Sequence, residues 1–161
     1  MSDIKIFTAD LANEKHCEAI RELLDEYAHD PLEGGKGLAP EVLARLTEGL
    51  RQQSAALVLL AGVEADIVGI AVCLWGFSTF AARPAINIHD LAVSRVCRGR
   101  GIGTLLIAEV ERRARKKNCS RITLEVRAEN RAARDLYARC GFVGADQEVP
   151  DTVTLFCVKP L

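Results

Sequence analysis

Residues 85–126 constrain the fold more tightly than any other part of the chain. Ala85–Val93 is an apolar run of strand length. A loop punctuated by Gly99, Gly101 and Gly103 follows. Gly101–Lys117 then carries apolar residues at helical spacing over about four turns, with Ile102, Leu105, Leu106, Val110 and Ala114 as the expected buried stripe. Arg121–Val126 alternates, with Ile122, Leu124 and Val126 on one face. Strand, crossover helix and strand in one sheet must run parallel, joined in the right-handed sense.

The flanks supply the rest of a mixed sheet. Ile4–Ala9 alternates as a strand, and Asn13–Tyr27 places Cys17, Ile20, Leu23, Leu24 and Tyr27 on one helical face. A glycine-rich loop precedes a short helix over Pro40–Leu50, opened by its proline. Ala55–Gly62 and Asp66–Trp75 are apolar runs joined at Val63-Glu64-Ala65, which reads as a hairpin. Asn130–Cys140 is a helix with Ala133, Leu136, Tyr137 and Cys140 on one face and Gly141 as its stop, and Thr152–Val158 is the last strand. The expected fold class is α/β (α+β), a mostly antiparallel sheet with one parallel pair, flanked by about four helices. A length of 161 residues suits one domain over residues 1–161.

Composition excludes several classes of function. A net charge of −1 implies no general attraction to nucleic acid or membrane. No apolar run is long enough to span a bilayer, and Met-Ser-Asp-Ile-Lys does not open a signal peptide. The six cysteines form no Cys-x-x-Cys pair and sit mostly in apolar patterns, so reduced thiols in a cytoplasmic protein are expected rather than a disulfide framework or zinc. His16 and His29 read as helix-surface residues, and no metal site is expected.

The balanced total hides a segregated charge. Eight acids lie between Asp10 and Glu33 against Lys15 and Arg21, whereas no acid lies between Asp90 and Glu109. In that acid-free stretch the glycines leave a helix N-terminus open, Arg98 and Arg100 add charge, and Thr104 adds a hydroxyl. The combination is a cradle for phosphate or pyrophosphate. A Walker loop fits poorly because no Lys-Ser/Thr pair follows the glycines. A dinucleotide fingerprint fits poorly, because the spacing is Gly99-x-Gly101-x-Gly103 and Ser94 to Arg98 separate the strand from the first glycine.

The loop Arg98-Gly99-Arg100-Gly101-Ile102-Gly103 fits Arg/Gln-x-x-Gly-x-Gly/Ala and resembles that of the GNAT superfamily of N-acetyltransferases. "AENRAARDLYARCGF", Ala128 to Phe142, looks like that family's next helix, with Asn130 and Tyr137 in their usual places. The strong resemblance covers Ile86–Phe142, a little over a third of the chain. Cys97 departs from it, standing where many members carry an aromatic residue. The resemblance implies acetyl-CoA as co-substrate, its pyrophosphate in the loop and its pantetheine arm in a gap between splayed strands. Backbone groups of Leu91 and Val93 would meet that arm, and an N–H near Leu91–Ala92 would hold the thioester oxygen. Asn130 is either a plain N-cap or a coenzyme A contact as well.

Acetyl transfer to an amine needs a base for the ammonium and an acid for the departing thiolate. Tyr137 is the candidate acid, the alternative being a core tyrosine with a satisfied hydroxyl. Asp90 is the candidate base or substrate anchor, with His89 its rival and a bridging water able to serve either. Simple alternation puts Asp90 with Ile86, Ile88 and Ala92, and a bulge near Leu91 would turn it toward the cleft. Phe77-Ser78-Thr79-Phe80, then Pro84 and the strand with Asp90, looks like the diamine (spermidine/spermine) acetyltransferase branch. Trp75, Phe77 and Phe80 would line an acceptor's apolar stem or pack in the sheet core, and the acidic segment would steer a cationic amine. The expected acceptor is a small primary amine, cationic or amino-acid-like, and the resemblance allows a homodimer. The rival readings are a non-catalytic acyl-CoA-binding sensor on the same fold and a nucleotide-binding α/β protein.

Overall fold

In a computed structural model that describes residues 3–161, six strands form one sheet in the order β1-β2-β3-β4-β5-β6. The strands are β1 (Ile4–Thr8), β2 (Ala56–Val63), β3 (Asp66–Ser78), β4 (Arg83–Val93), β5 (Arg121–Arg127) and β6 (Thr154–Pro160). The helices are α1 (Glu14–Ala28), α2 (Pro40–Gln52), α3 (Ile102–Lys116) and α4 (Arg131–Arg139). Every neighbouring pair is antiparallel except β4 and β5. That pair brackets α3, as the crossover requires.

Both faces of the sheet are covered, which explains why β2 and β3 are nearly continuous apolar runs. Leu57, Leu59 and Ala61 face α3, in one core cluster with Leu106, Ile107 and Val110. Val58 and Leu60 face α1, packing with Ile20, Leu23 and Leu24. The stripe of α3 differs from the sequence reading at one position. Leu105 is 41% exposed, and Ile107 is buried in its stead. The buried line follows Ile102, Leu106 and Val110 at four-residue steps, with Ile107 beside it, and Leu105 falls on the far flank.

Two features of β4 create the site. First, its pairing with β5 covers only Ile86–Ile88 against Ile122–Leu124, after which the strands part. The Asn87 amide closes the base of this gap, donating to Thr123 Oγ1 at 3.0 Å. Second, β4 holds one residue more than β3 at the parting: Cys73 pairs with Ile88 and Val72 with Asp90. The bulge breaks the alternation. Ile86 and Ile88 stay on the α3 side, whereas Asp90 and Ala92 register with Val72 and Ile70 on the α1 side. The simple parity that grouped Asp90 with Ile86 and Ile88 therefore does not hold.

Candidate functional site

The loop entering α3 shows why its glycines are there. Gly99 and Gly101 have φ of +77° and +78°, a region in which a side chain is strained. No atom lies within 4 Å of where a Cβ would stand on either one. Gly101 caps α3 without any side-chain acceptor, so the N–H groups of the first turn remain open to an anion. Gly103 serves packing, since a Cβ there would come within 2.9 Å of Leu136 Cδ2 on α4. Arg98 folds back, its Nε donating to the Val93 carbonyl at 3.1 Å and its guanidinium lying 3.8 Å from the Asp30 carboxylate.

A cavity of about 440 Å³ opens at this loop. Its walls include Leu91, Ala92, Val93, Arg98, Gly99, Gly101, Ile102, Gly103, Thr104 and Asn130, every cofactor contact expected from sequence except one. Arg100 stands outside, exposed, with its guanidinium 3.8 Å from the Cys97 sulfur. Cys97 is itself buried beneath the loop and reaches the cavity wall. The volume lies in the range of about 300–1,000 Å³ usual for small-molecule sites. The open Cβ positions and uncapped helix end suit a pyrophosphate, and the parted strands suit a narrow arm running on from it.

A second cavity of about 240 Å³ adjoins the first and shares Tyr27, Leu91, Asn130, Ala133 and Tyr137 with it. Asp90 and His89 both reach it, from the two positions of the bulge. Asp90 is half-buried and His89 exposed. Burial pushes the Asp90 carboxyl above the usual carboxylate range, with the charge of His89 opposing. Tyr137 is 7% exposed, and its hydroxyl has no hydrogen-bond partner among the described residues. Burial is the first cause that pushes its phenol above the ordinary value, and Glu33 and Asp90 are among the charges that add to it. The group is thus held protonated. Asn130 caps α4, accepting from the Ala133 N–H at 3.2 Å, and its place in both cavity walls makes the cap compatible with a ligand contact.

Several wall residues were not visible as such in the sequence. Tyr27 was read only as a member of the α1 core face, yet it sits in both walls. Arg139, at the end of α4, adds a base to the first cavity three residues beyond Leu136. The aromatic segment fails in the opposite sense. Phe77 and Phe80 are exposed, on or beside the β3–β4 hairpin, and Trp75 is half-buried with the Lys117 ammonium 4.1 Å from its ring centroid. None of the three lines either cavity. The acidic segment is mostly consumed locally: Glu14 pairs with Arg21, Asp25 accepts from the Leu38 N–H, and Glu26 accepts from the Arg95 N–H. Asp30 and Glu33 are its members that reach a cavity.

A GNAT-type site is what this constellation resembles, and residues 17–142 match the Acetyltransferase (GNAT) family. The chain belongs to that family. It is 39% identical over 70 residues to an uncharacterized N-acetyltransferase of Methanocaldococcus jannaschii, covering 44% of this chain and 30% of that one. It is 36% identical over 75 residues to the thialysine N-epsilon-acetyltransferase of Bos taurus, covering 47% of this chain and 44% of that one. The alignments thus span less than half the length of either relative. Among solved structures, a chain of the NatC complex bound to Gag peptide and CoA superposes with a TM-score of 0.75 at 22% identity, covering 99% of each chain. No helix among the described residues is long and apolar enough to cross a membrane. All six cysteines are free, five of them buried.

Proposed function

We propose that this protein is an acetyl-CoA-dependent N-acetyltransferase that moves the acetyl group directly to a primary amine. The observation that carries the reading is the pair of adjoining cavities meeting at Tyr137, Asn130 and Leu91, one floored by the glycine loop and the other reached by Asp90. Arg98, Gly99, Gly101, Gly103 and Thr104 would hold the pyrophosphate with backbone N–H groups and one guanidinium. Leu91, Ala92 and Val93 would offer backbone groups to the pantetheine arm and thioester oxygen. Acetyl-CoA supplies an activated acyl group and a thiolate leaving group.

The chain's own groups divide the proton work. An alkyl ammonium has a pKa near ~10 and must lose a proton before its nitrogen can attack. Asp90 takes that proton directly or through a water; His89 is the rival at the same bulge. The nitrogen–carbon bond forms as the carbon–sulfur bond breaks. Tyr137, held protonated by its burial, gives its proton to the sulfur. Overall an ammonium and a thioester become an amide, a thiol and a free proton.

The acceptor is a small amine, cationic or amino-acid-like, of a size that suits a second cavity of about 240 Å³. The free cysteines support a reducing compartment such as the cytoplasm. Thiol release from acetyl-CoA in the presence of a panel of primary amines tests the reading. Amine-dependent release that falls sharply in Tyr137→Phe is the expected outcome. Binding of acetyl-CoA with no release to any amine would favour the non-catalytic sensor.

A further inference from the structure

We propose that the second cavity reads a second positive charge on the acceptor, and that Glu33 is the residue that reads it. The inference rests on the acetyltransferase reading and narrows its acceptor class, choosing a cationic amine over an amino-acid-like one.

Three carboxylates reach this cavity from separate parts of the fold: Glu33 from the turn after α1, Asp90 from the β4 bulge and Glu125 from β5. The one arginine or lysine in the wall is Arg127, and it is already paired with Glu129 at 2.7 Å. The wall is therefore negative, and a carboxylate on the acceptor would be repelled there. Asp90 is committed to the reacting nitrogen. Glu33 and Glu125 are left, and of the two Glu33 is the one held in place by a hydrogen bond from the described residues. The Tyr27 hydroxyl donates to Glu33 Oε1 at 2.9 Å. Asp30 caps the short turn that carries Glu33, accepting from the Leu32 N–H at 3.1 Å through its side chain and from the Glu33 N–H at 2.8 Å through its carbonyl. Glu33 Oε2 keeps no protein partner among the described residues. A preorganised carboxylate loses little entropy on binding, and this one has an acceptor site to spare.

A second observation points to a ligand in the same space. The Tyr137 side chain is more than nine-tenths buried, its hydroxyl has no hydrogen-bond partner among the described residues, and it forms part of this wall. Glu33 and Asp90 line the same cavity as Tyr137. An acceptor with two ammonium groups would fill that volume between Asp90 and Glu33.

The test compares three five-carbon-chain probes in thiol release: cadaverine, n-pentylamine and ε-aminocaproate, which carry respectively a second ammonium, nothing, and a carboxylate at the far end. The expected order of kcat/KM is cadaverine, then n-pentylamine, then ε-aminocaproate, with cadaverine about tenfold ahead of n-pentylamine, the effect of one charge-assisted hydrogen bond. In Glu33→Gln the cadaverine to n-pentylamine ratio should collapse toward unity, and Glu33→Lys should favour ε-aminocaproate. A ratio near unity in the unmodified protein, or one that Glu33→Gln leaves unchanged, overturns the inference and leaves the acetyltransferase reading standing. No thiol release with any of the three, while another primary amine gives release, overturns the inference alone; no release with any primary amine overturns both.

Discussion

Replacing Arg134 by methionine should destabilise the protein more than any surface change. Arg134 is 5% exposed, yet no carboxylate pairs with it among the described residues. Its guanidinium instead donates to three backbone carbonyls: Nε to Ala145 at 2.8 Å, Nη1 to Ala128 at 2.9 Å, and Nη2 to Gln147. Ala128 precedes α4, and Ala145 and Gln147 follow it, so one side chain ties both flanks of the helix that carries Asn130 and Tyr137. Methionine keeps much of the volume and removes every donor. Hydrogen bonds from a charged donor are each worth about 1.5–3 kcal/mol, and part of that sum is offset because the cation no longer has to be desolvated. A net loss of roughly 3–5 kcal/mol follows, the scale seen when one partner of a buried ionic contact is removed. Urea denaturation followed by circular dichroism measures it, and the melting temperature should fall by roughly 10 °C or more. Arg134→Lys should restore only part of the loss, because one ammonium cannot span three divergent carbonyls as a planar fork does. A change below about 1 kcal/mol for Arg134→Met would refute the assignment of three satisfied, energetically significant contacts.

Other perturbations have equally definite outcomes. Because burial raises the Asp90 carboxyl, kcat/KM should fall with decreasing pH through a midpoint above the ordinary ~3.9, and Asp90→Asn should abolish that limb; an unchanged acid limb in the variant would exclude Asp90 as the base. The same shift has a sign for stability: the folded state holds this proton more tightly, so the group favours folding below the ordinary value and loses that benefit as pH rises through the raised one. Asp90→Asn should accordingly melt higher than the unmodified protein near neutrality, with the gap closing in acid, and a gap independent of pH would refute it. Gly99→Ala and Gly101→Ala should each cost about 1–2 kcal/mol in thermal melts through the left-handed backbone and also weaken acetyl-CoA binding, because the new methyl enters open cradle space. Tyr137→Phe should lower kcat by about a hundredfold or more with a far smaller change in KM for acetyl-CoA, and an unchanged kcat would remove Tyr137 from the proton work.

What could be read in the sequence was local. A glycine-rich turn at a helix entrance and a four-residue apolar stride need no distant partner, so the strand–loop–helix–strand unit was legible, as were most of the loop residues that line the first cavity. Arg100 was the exception, because in alternation with glycine it points off the loop toward Cys97 instead of into the cavity. Asp90 could be placed only conditionally. Its face depends on one extra residue in β4, which is visible only once the pairing with β3 is known. Tyr27, Glu33 and Arg139 reach the cavities from α1, the turn beyond it and α4, and that meeting is set by how three elements dock. Phe77 and Phe80 misled for the same reason. Aromatic content marked them as pocket or core, and their place at the β3–β4 hairpin, away from the bulge, left them in solvent.

Calorimetric titration with acetyl-CoA, with ATP and NAD in parallel, addresses most directly whether the glycine loop and the parted strands form an acyl-CoA site. Saturable binding of acetyl-CoA with a stoichiometry of one per chain is expected, with no comparable heat from ATP or NAD. That binding should be lost in Gly101→Val and Gly103→Val variants that remain folded by circular dichroism. Folded protein that ignores acetyl-CoA, or that prefers either nucleotide, would contradict the acetyltransferase assignment.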